Sequence, residues 1–494
     1  MRGGQERYRK VQGEAHIKIK FSTDPYFMLI SKKEKGCIIV MEHTIAAIST
    51  PNGQGGMGVI RISGETALET ADKIFSSISG KRVTEMKGYT ASFGQIKDGE
   101  EIIDDAVVLV FKAPHSYTGE DVAEISCHGG MYITKRVLRA VLNNGAVPAQ
   151  AGEFTKRAFL NGKMGLTEAE SVMDIISAGG QQSARAALSS LKGRLHNRID
   201  NVKEELLSLA AHLSAWADYP EDEIPEIDDT RLLDGLSKCR SELSNLLKTY
   251  DAGKVMREGV DTVIAGRPNV GKSTLMNLLS GCERSIVTNI PGTTRDIIEE
   301  TVMLGDVPLR LSDTAGIRST DDPVESIGVQ RAKERLLSAG LIFAVFDASM
   351  PLSDDDMELL ELLHNAPAVA IINKSDLENK IDVDYIKGKV PHTVMISAKT
   401  GDGADILAYE VGEIVGTSSL DASQGILATE RQYSDAKAAL KSVEEAIAVL
   451  KAGITYDAVT VVIEEAINSL LELTGERVTE AVVDKVFSHF CVGK

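Results

Sequence analysis

The sequence predicts a multidomain α/β protein: an N-terminal α+β domain, then an all-α helical domain interrupted by an inserted domain with a mostly parallel sheet. Three changes of rhythm predict it. Short β runs broken by glycine fill the chain from Met41 to about Leu160. Apolar residues at a spacing of 3.6 take over towards Gly253 and return after Leu420. Between Glu258 and Gly416 strands and helices alternate, the pattern of a parallel sheet covered on both faces.

Taken in order, residues 1–40 mix basic and aromatic side chains and lack the apolar stretch of a secretory signal. They read as an upstream extension or a mis-assigned start, outside the fold, with the functional chain opening near Met41. Residues 41–161 form the N-terminal domain, with strands expected at 44–48, 58–62, 106–110 and 122–125 and helices at 65–77 and 131–143. Residues 162–257 are the first part of the helical domain. Leu188, Leu191, Leu195 and Ile199 fall on one helical face, as do Leu206, Leu209 and Leu213, and the acidic, proline-containing stretch 219–229 is a loop. Residues 258–417 are the inserted domain, with strands at 262–265, 309–312, 341–346, 369–372 and 394–396. Residues 418–494 complete the helical domain, with helices at 435–450 and 457–473.

A formal charge of −18 argues against a broad basic surface that coats nucleic acid, but leaves room for a local basic groove for one structured RNA. No apolar run reaches the roughly 18 residues of a membrane span. The cysteines Cys37, Cys127, Cys239, Cys282 and Cys491 are scattered, odd in number and without CxxC spacing, which suits a reducing compartment and excludes a disulfide framework.

Gly266-Arg267-Pro268-Asn269-Val270-Gly271-Lys272-Ser273 fits the phosphate-binding loop pattern, between an apolar strand and a helix that starts near Thr274. Glycines let backbone N–H groups converge on phosphates at a helix N-terminus. Lys272 would neutralise the β/γ oxygens, and the Ser273 hydroxyl would ligate magnesium. Three further motifs specify guanine. Asp313-Thr314-Ala315-Gly316 ends a strand and puts Asp313 near magnesium and the Gly316 N–H near the γ-phosphate. Asn373-Lys374-Ser375-Asp376 ends another; the Asp376 carboxylate can accept from guanine N1–H and its exocyclic amine. Ser397-Ala398-Lys399 supplies a backbone donor for O6. These motifs predict a GTP hydrolase.

The hydrolytic apparatus departs from that of the small signalling GTPases. Ile317 stands where those proteins have a glutamine that orients water, and it can form no hydrogen bond. Another carboxylate must serve. Glu325, in the acidic segment 321–325, is the candidate, although the same spacing fits a merely solvated loop. Asn269, taken alone, reads as a residue that shapes its loop.

The pieces together resemble the tRNA-modification GTPase family called MnmE or TrmE, from Met41 to Lys494. The resemblance rests on the runs 55–64 (GGMGVIRISG), 117–121 (YTGED), 127–130 (CHGG), 152–163 (GEFTKRAFLNGK) and 292–296 (GTTRD), and on the ending Phe490-Cys491-Val492-Gly493-Lys494, where Val492 replaces the usual isoleucine. It implies a homodimer joined through the N-terminal domain, a folate one-carbon donor (5-formyl- or 5,10-methylene-tetrahydrofolate) held there, and a flavoprotein partner, MnmG or GidA, that carries the FAD. The implied reaction places an aminomethyl-type group (carboxymethylaminomethyl) on carbon 5 of the wobble uridine of certain tRNAs, with no membrane or DNA partner.

The resemblance also assigns roles. Potassium replaces an arginine finger, held by the Asn269 side chain, the carbonyls of Thr288 and Ile290 and the Thr293 region. The loop Thr288-Asn289-Ile290-Pro291-Gly292-Thr293-Thr294 then belongs to the GTP site, with Thr294 the second magnesium ligand and Glu325 the water-orienting carboxylate. Arg61, Glu124, Lys163 and Lys494 match the folate-binding positions. Glu124 suits the donor edge of a pterin, and the cations suit acyl and glutamate oxygens. Cys491 reads either as a nucleophile in the tRNA modification or as a small, partly buried residue; His489 is near, but no motif supplies its base. The competing reading is a ribosome-assembly GTPase switch of the Era or Der type, which would require a basic RNA-binding module or a second nucleotide domain. Without a convincing transit peptide, a cytoplasmic location is expected.

Overall fold

The computed structural model describes residues 28–29, 43–51, 53–218, 229–281, 300–313, 336, 338–364 and 366–494. Near the N-terminus, β1 (Met28–Leu29) pairs antiparallel with Arg477–Val478, some 450 positions further on. Alternating burial then builds a sheet from β2 (Ile45–Ile48), β3 (Met57–Ser63), β4 (Phe75–Ser77), β5 (Thr90–Asp98), β6 (Glu101–Phe111), β7 (Val122–His128) and β8 (Val147–Pro148), in the order β4-β5-β6-β7-β3-β2-β8. Helices α1 (Ala67–Ile74) and α2 (Met131–Asn143) close one face, burying Ala67, Ala71, Val137 and Val141 against Ile60, Ile62, Val108 and Ile125. The other face carries Arg61 and Glu124, paired across β3 and β7. Helix α3 (Glu153–Leu160) follows the sheet.

The expected helix over residues 65–77 stops short. Its last three residues form β4, with Phe75 opposite Ile96 and Ser77 opposite Gly94. Serine competes with helical hydrogen bonding, and Ser77 is instead bonded to Ser92 across the strands at 2.7 Å.

Helices α4 (Leu166–Ser177), α5 (Gln181–Leu191), α6 (Arg194–Asp218), α7 (Asp229–Leu247) and α8 (Tyr250–Glu258) follow. The leucine stripe expected across residues 188–199 is divided. Gly193, at φ +76°, breaks the helix between α5 and α6, leaving Leu188 40% exposed while Leu195 and Ile199 are fully buried. The acidic loop 219–228 lies outside the described residues.

The inserted domain has β9 (Val260–Ala265), α9 (Lys272–Gly281), β10 (Glu300–Leu304), β11 (Val307–Asp313), β12 (Leu341–Asp347), α10 (Asp354–Leu362), β13 (Ala368–Asn373), α11 (Val383–Lys389), β14 (Thr393–Met395) and α12 (Ala404–Ile414). Its sheet runs β10-β11-β9-β12-β13-β14; only the β10–β11 pair among these is antiparallel. Every residue of β12 and β13 is buried, as a strand covered on both faces requires. Each fully buried Val, Ile or Phe contributes about 1.5–3 kcal/mol.

After the insertion come α13 (Glu430–Lys451), α14 (Tyr456–Thr474), β15 (Arg477–Val478) and α15 (Glu480–Phe487). Helices α13 and α14 pack with α6 and α7 around one apolar core, including Leu206, Leu236, Val443 and Ile463. Buried charge also joins the two halves. Arg431 makes two 2.9 Å bonds to Glu170 and one of 3.0 Å to Asp435. Removing one partner of such a buried pair costs about 3–5 kcal/mol, so this contact, with the shared apolar core, ties together the two halves that the insertion separates in sequence.

Candidate functional site

The phosphate loop lies where parallel packing delivers it, between the end of β9 and the start of α9. Two close approaches fix its shape. Gly271, at φ +98°, leaves no room for a side chain: a Cβ there would lie 2.2 Å from Asn373 Nδ2. That amide donates to Val270 O at 2.9 Å, while Asn373 Oδ1 accepts from Ala398 N at 2.9 Å, so one side chain ties the loop to the Ser397-Ala398-Lys399 segment. The second tie is Lys374, whose ammonium donates to Asn269 O at 2.9 Å and to Asp347 Oδ2 at 2.6 Å. Burial opposes ionisation of Asp347, but Lys374 and the Ser349 hydroxyl and N–H outweigh it and hold the carboxyl below its ordinary range. Sequence reasoning missed Asp347; the available signal was an acid closing a fully apolar strand.

Asn269 itself sits at φ +65° with an exposed side chain, its backbone held by Lys374. Lys272 curls back over the loop and donates to Gly266 O at 2.8 Å and Arg267 O at 2.9 Å. Ser273 and Thr274 open α9 with exposed side chains. Arg267 lies 3.2 Å from the buried Asp356, fastening the loop to α10. Asp313 ends β11 beside Ile264 of β9.

At the base-recognition end, Ser397 Oγ donates to Asp376 Oδ1 at 2.8 Å and Ser375 N donates to Ile396 O at 3.0 Å, leaving Asp376 exposed. Within the Ser397-Ala398-Lys399 segment expected to offer a backbone donor to guanine O6, the Ala398 N–H points at Asn373 Oδ1. Lys399 is exposed. Residues 288–294, Thr314, Ala315, Gly316 and Glu325 lie outside the described residues.

The second site is built by the chain's two ends. The C-terminal residues leave α15 and lie along the N-terminal domain: Ala151 bridges Val492, Phe154 N donates to Lys494 O at 3.1 Å, and Ser49 Oγ donates to Gly493 O at 3.2 Å. Gly493, at φ +100°, allows this, since a Cβ would meet Ile48 O at 2.4 Å. The tail thereby reaches Arg61. The Arg61 Nε donates to Glu124 Oε1 at 2.8 Å, and the guanidinium lies 5.5 Å from the Tyr117 ring and 5.6 Å from the Phe154 ring. Burial, and then the Arg61 charge, push the Lys494 ammonium below its ordinary value, against the pull of Glu124. Arg61, Glu124 and Lys494 are thus brought together, while Lys163 is exposed and donates to Pro114 O at 2.9 Å, just before Tyr117 in the chain. A ligand's donor edge would share Glu124 with Arg61. Tyr117 and Phe154 were not foreseen as site residues; both lie in the motif runs at 117–121 and 152–163.

Cys491 is exposed at the edge of this site, whereas burial pushes the Cys127 thiol up to about 11. Among the described residues, His196, Asp200 and Glu476 form a cluster with metal-ligand spacing. Lys203 already bonds both carboxylates there, at 2.6 and 2.9 Å.

A sequence profile for the MnmE helical domain matches residues 166–491, and one for the GTP-binding protein TrmE N-terminus matches residues 44–163. The tRNA modification GTPase MnmE of Clostridioides difficile (strain 630) is 41% identical over 457 residues, covering 92% of this chain and 100% of the relative. That of Symbiobacterium thermophilum is 43% identical over 458 residues, with the same coverage. Among solved structures, the G domain of the T. maritima FeoB iron transporter is 27% identical, the match covering 31% of this chain and 98% of that one. Its TM-score of 0.25 is too low to add to the fold.

Proposed function

The chain belongs to the MnmE/TrmE family of tRNA-modification GTPases, and from that premise we propose that its two sites serve one cycle. It is a GTP hydrolase of tRNA modification. The finer reading is potassium-activated hydrolysis that, with an MnmG/GidA-type flavoprotein, supports addition of a carboxymethylaminomethyl-type group to carbon 5 of a tRNA wobble uridine from a folate one-carbon donor. The observation that carries it is the seating of Lys494 beside Arg61 and Glu124 by a tail that Gly493 alone can shape.

In this reading Lys272 neutralises the phosphate oxygens, Ser273 and Thr294 hold magnesium, and Asp376 reads guanine. Asn269, Thr288, Ile290 and Thr293 hold potassium, and Glu325 orients the attacking water. The exposed Asn269 side chain on a pinned backbone fits a cation ligand. Arg61, Glu124, Lys163 and Lys494 hold the folate, with the Tyr117 and Phe154 rings as apolar walls. The homodimer draws support from the open face of the N-terminal sheet. Phe93, 51% exposed, stands opposite Val107, 38% exposed, and Leu109 stands opposite Glu124 in the next row, so the apolar patch adjoins the Arg61–Glu124 pair. A second copy of this chain is the occupant that would cover both. The proposed location is the cytoplasm; among the described residues no helix is long and apolar enough to cross a membrane.

The test is steady-state GTP hydrolysis in potassium against sodium at matched ionic strength. Acceleration in potassium alone is expected; equal slow rates would remove the Asn269 cation site and raise the ribosome-assembly alternative. For folate, Arg61→Ala is expected to weaken binding of 5-formyl-tetrahydrofolate ten- to hundredfold by calorimetry, the loss of a charged hydrogen bond of about 1.5–3 kcal/mol. Undiminished affinity would take Arg61 out of the site.

A further inference from the structure

The chain carries a formal charge of −18, yet α2 contains Lys135, Arg136 and Arg139 and no carboxylate. Its buried side is made by Thr134, Val137, Ala140 and Val141. Residues three and four apart share a helical face, so Tyr132, Lys135, Arg136 and Arg139 form one stripe on the opposite side. Tyr132 is 70% exposed, and Lys135 and Arg139 are exposed. Glu101 reaches the stripe and binds Arg136 through two 2.8 Å bonds, leaving Lys135 and Arg139 to project one turn apart. At the C-terminal end of α2, Lys73 adds an ammonium, bonded to Asn144 O at 2.9 Å. At its N-terminal end lies a cavity of about 240 Å³, lined by Gly55, Gly58, Gly129, Thr134 and Lys135 among others.

The stripe has the composition of a surface for a polyanion with unpaired bases. Lys135 and Arg139 are separated by about 6 Å along the axis, at a rise of 1.5 Å per residue, a step suited to successive phosphates of one strand. An exposed tyrosine about one turn before Lys135 offers a ring on which a base can stack. In a strongly acidic chain, such a patch also directs where an RNA can land, because approach elsewhere is repelled. We propose that α2 is the docking track for the sugar–phosphate backbone of the substrate tRNA. Lys135 and Arg139 take successive phosphates, Tyr132 stacks on an unpaired base, and the glycine-lined cavity receives the adjoining nucleotide. This rests on the tRNA-modification reading and adds to it the surface on this chain that meets the RNA.

The test is fluorescence anisotropy of a labelled, unmodified tRNA transcript with the full-length protein across a series of KCl concentrations. Lys135→Glu/Arg139→Glu is expected to weaken binding at least tenfold. It should also flatten the dependence of log Kd on log salt by about 1.5, two phosphates at roughly 0.7–0.9 each. Lys135→Arg/Arg139→Lys should bind as the wild type does, and Tyr132→Ala should weaken binding several-fold without changing the slope. Circular dichroism and melting temperature should be equal in all of these proteins, showing that they are folded, and GTP hydrolysis without tRNA should be equal too. An unchanged Kd and slope in the charge-reversed protein would overturn the proposal, as would a wild-type chain that binds no tRNA at low salt. A wild-type chain that hydrolyses no GTP would strike the underlying reading instead.

Discussion

Asp376→Asn is expected to lower affinity for GTP by about 10²–10⁴-fold and to admit xanthosine triphosphate in its place. The carboxylate can accept from guanine N1–H and the exocyclic amine together, and a hydrogen bond to a charged group is worth about 1.5–3 kcal/mol. An amide in the same place accepts once and donates once. It therefore meets the guanine amine with its own N–H, but matches xanthine, which has a carbonyl there. The frame around residue 376 should survive the change. Ser397 Oγ donates to Asp376 Oδ1, an oxygen the amide keeps, and Ser375 N stays pinned to Ile396 O at 3.0 Å. Competition of GTP and xanthosine triphosphate against a fluorescent nucleotide reads the exchange directly. Retention of GTP preference in the variant would show that Asp376 does not read the base.

Much of this site was legible because its chemistry is written in short contiguous runs. Gly266 to Ser273 and Asn373 to Asp376 specify a backbone path and its functional groups within one turn of chain, so sequence alone locates them. What holds those runs to one another was not legible. Asn373 reaches Val270 and Ala398, and Lys374 reaches Asn269 and Asp347; these contacts join residues from about 25 to 105 positions apart. The C-terminal site shows the same division. Arg61, Glu124 and Lys494 were named from the family resemblance, but the Tyr117 and Phe154 rings beside Arg61 follow only from the packing of α3 and the tail against the sheet. Periodicity erred where local chemistry overrode it. Gly193 divides one leucine stripe between two helices, and the serines after Phe75 leave a helix for a strand. A spacing of 3.6 registers a face but not an interruption in it.

Lys272→Ala is expected to slow GTP hydrolysis by about 10³-fold, the scale of losing one charged group aimed at the transferring phosphoryl. The ammonium now bonds Gly266 O and Arg267 O, so its removal could act through the shape of the loop instead of through its charge. The structure separates these effects. Both residues are half-exposed, and water can replace Lys272 at their carbonyls. The loop is also held independently, by Asn373 at Val270 O, by Lys374 at Asn269 O and by the Arg267–Asp356 pair. The variant should therefore melt within a degree or two of the wild type while turnover collapses. Hydrolysis within tenfold of the wild-type rate would remove Lys272 from the chemistry. A large fall in melting temperature would make it a strut of the loop, and the neutralisation of phosphate charge would then have to come from elsewhere in the site.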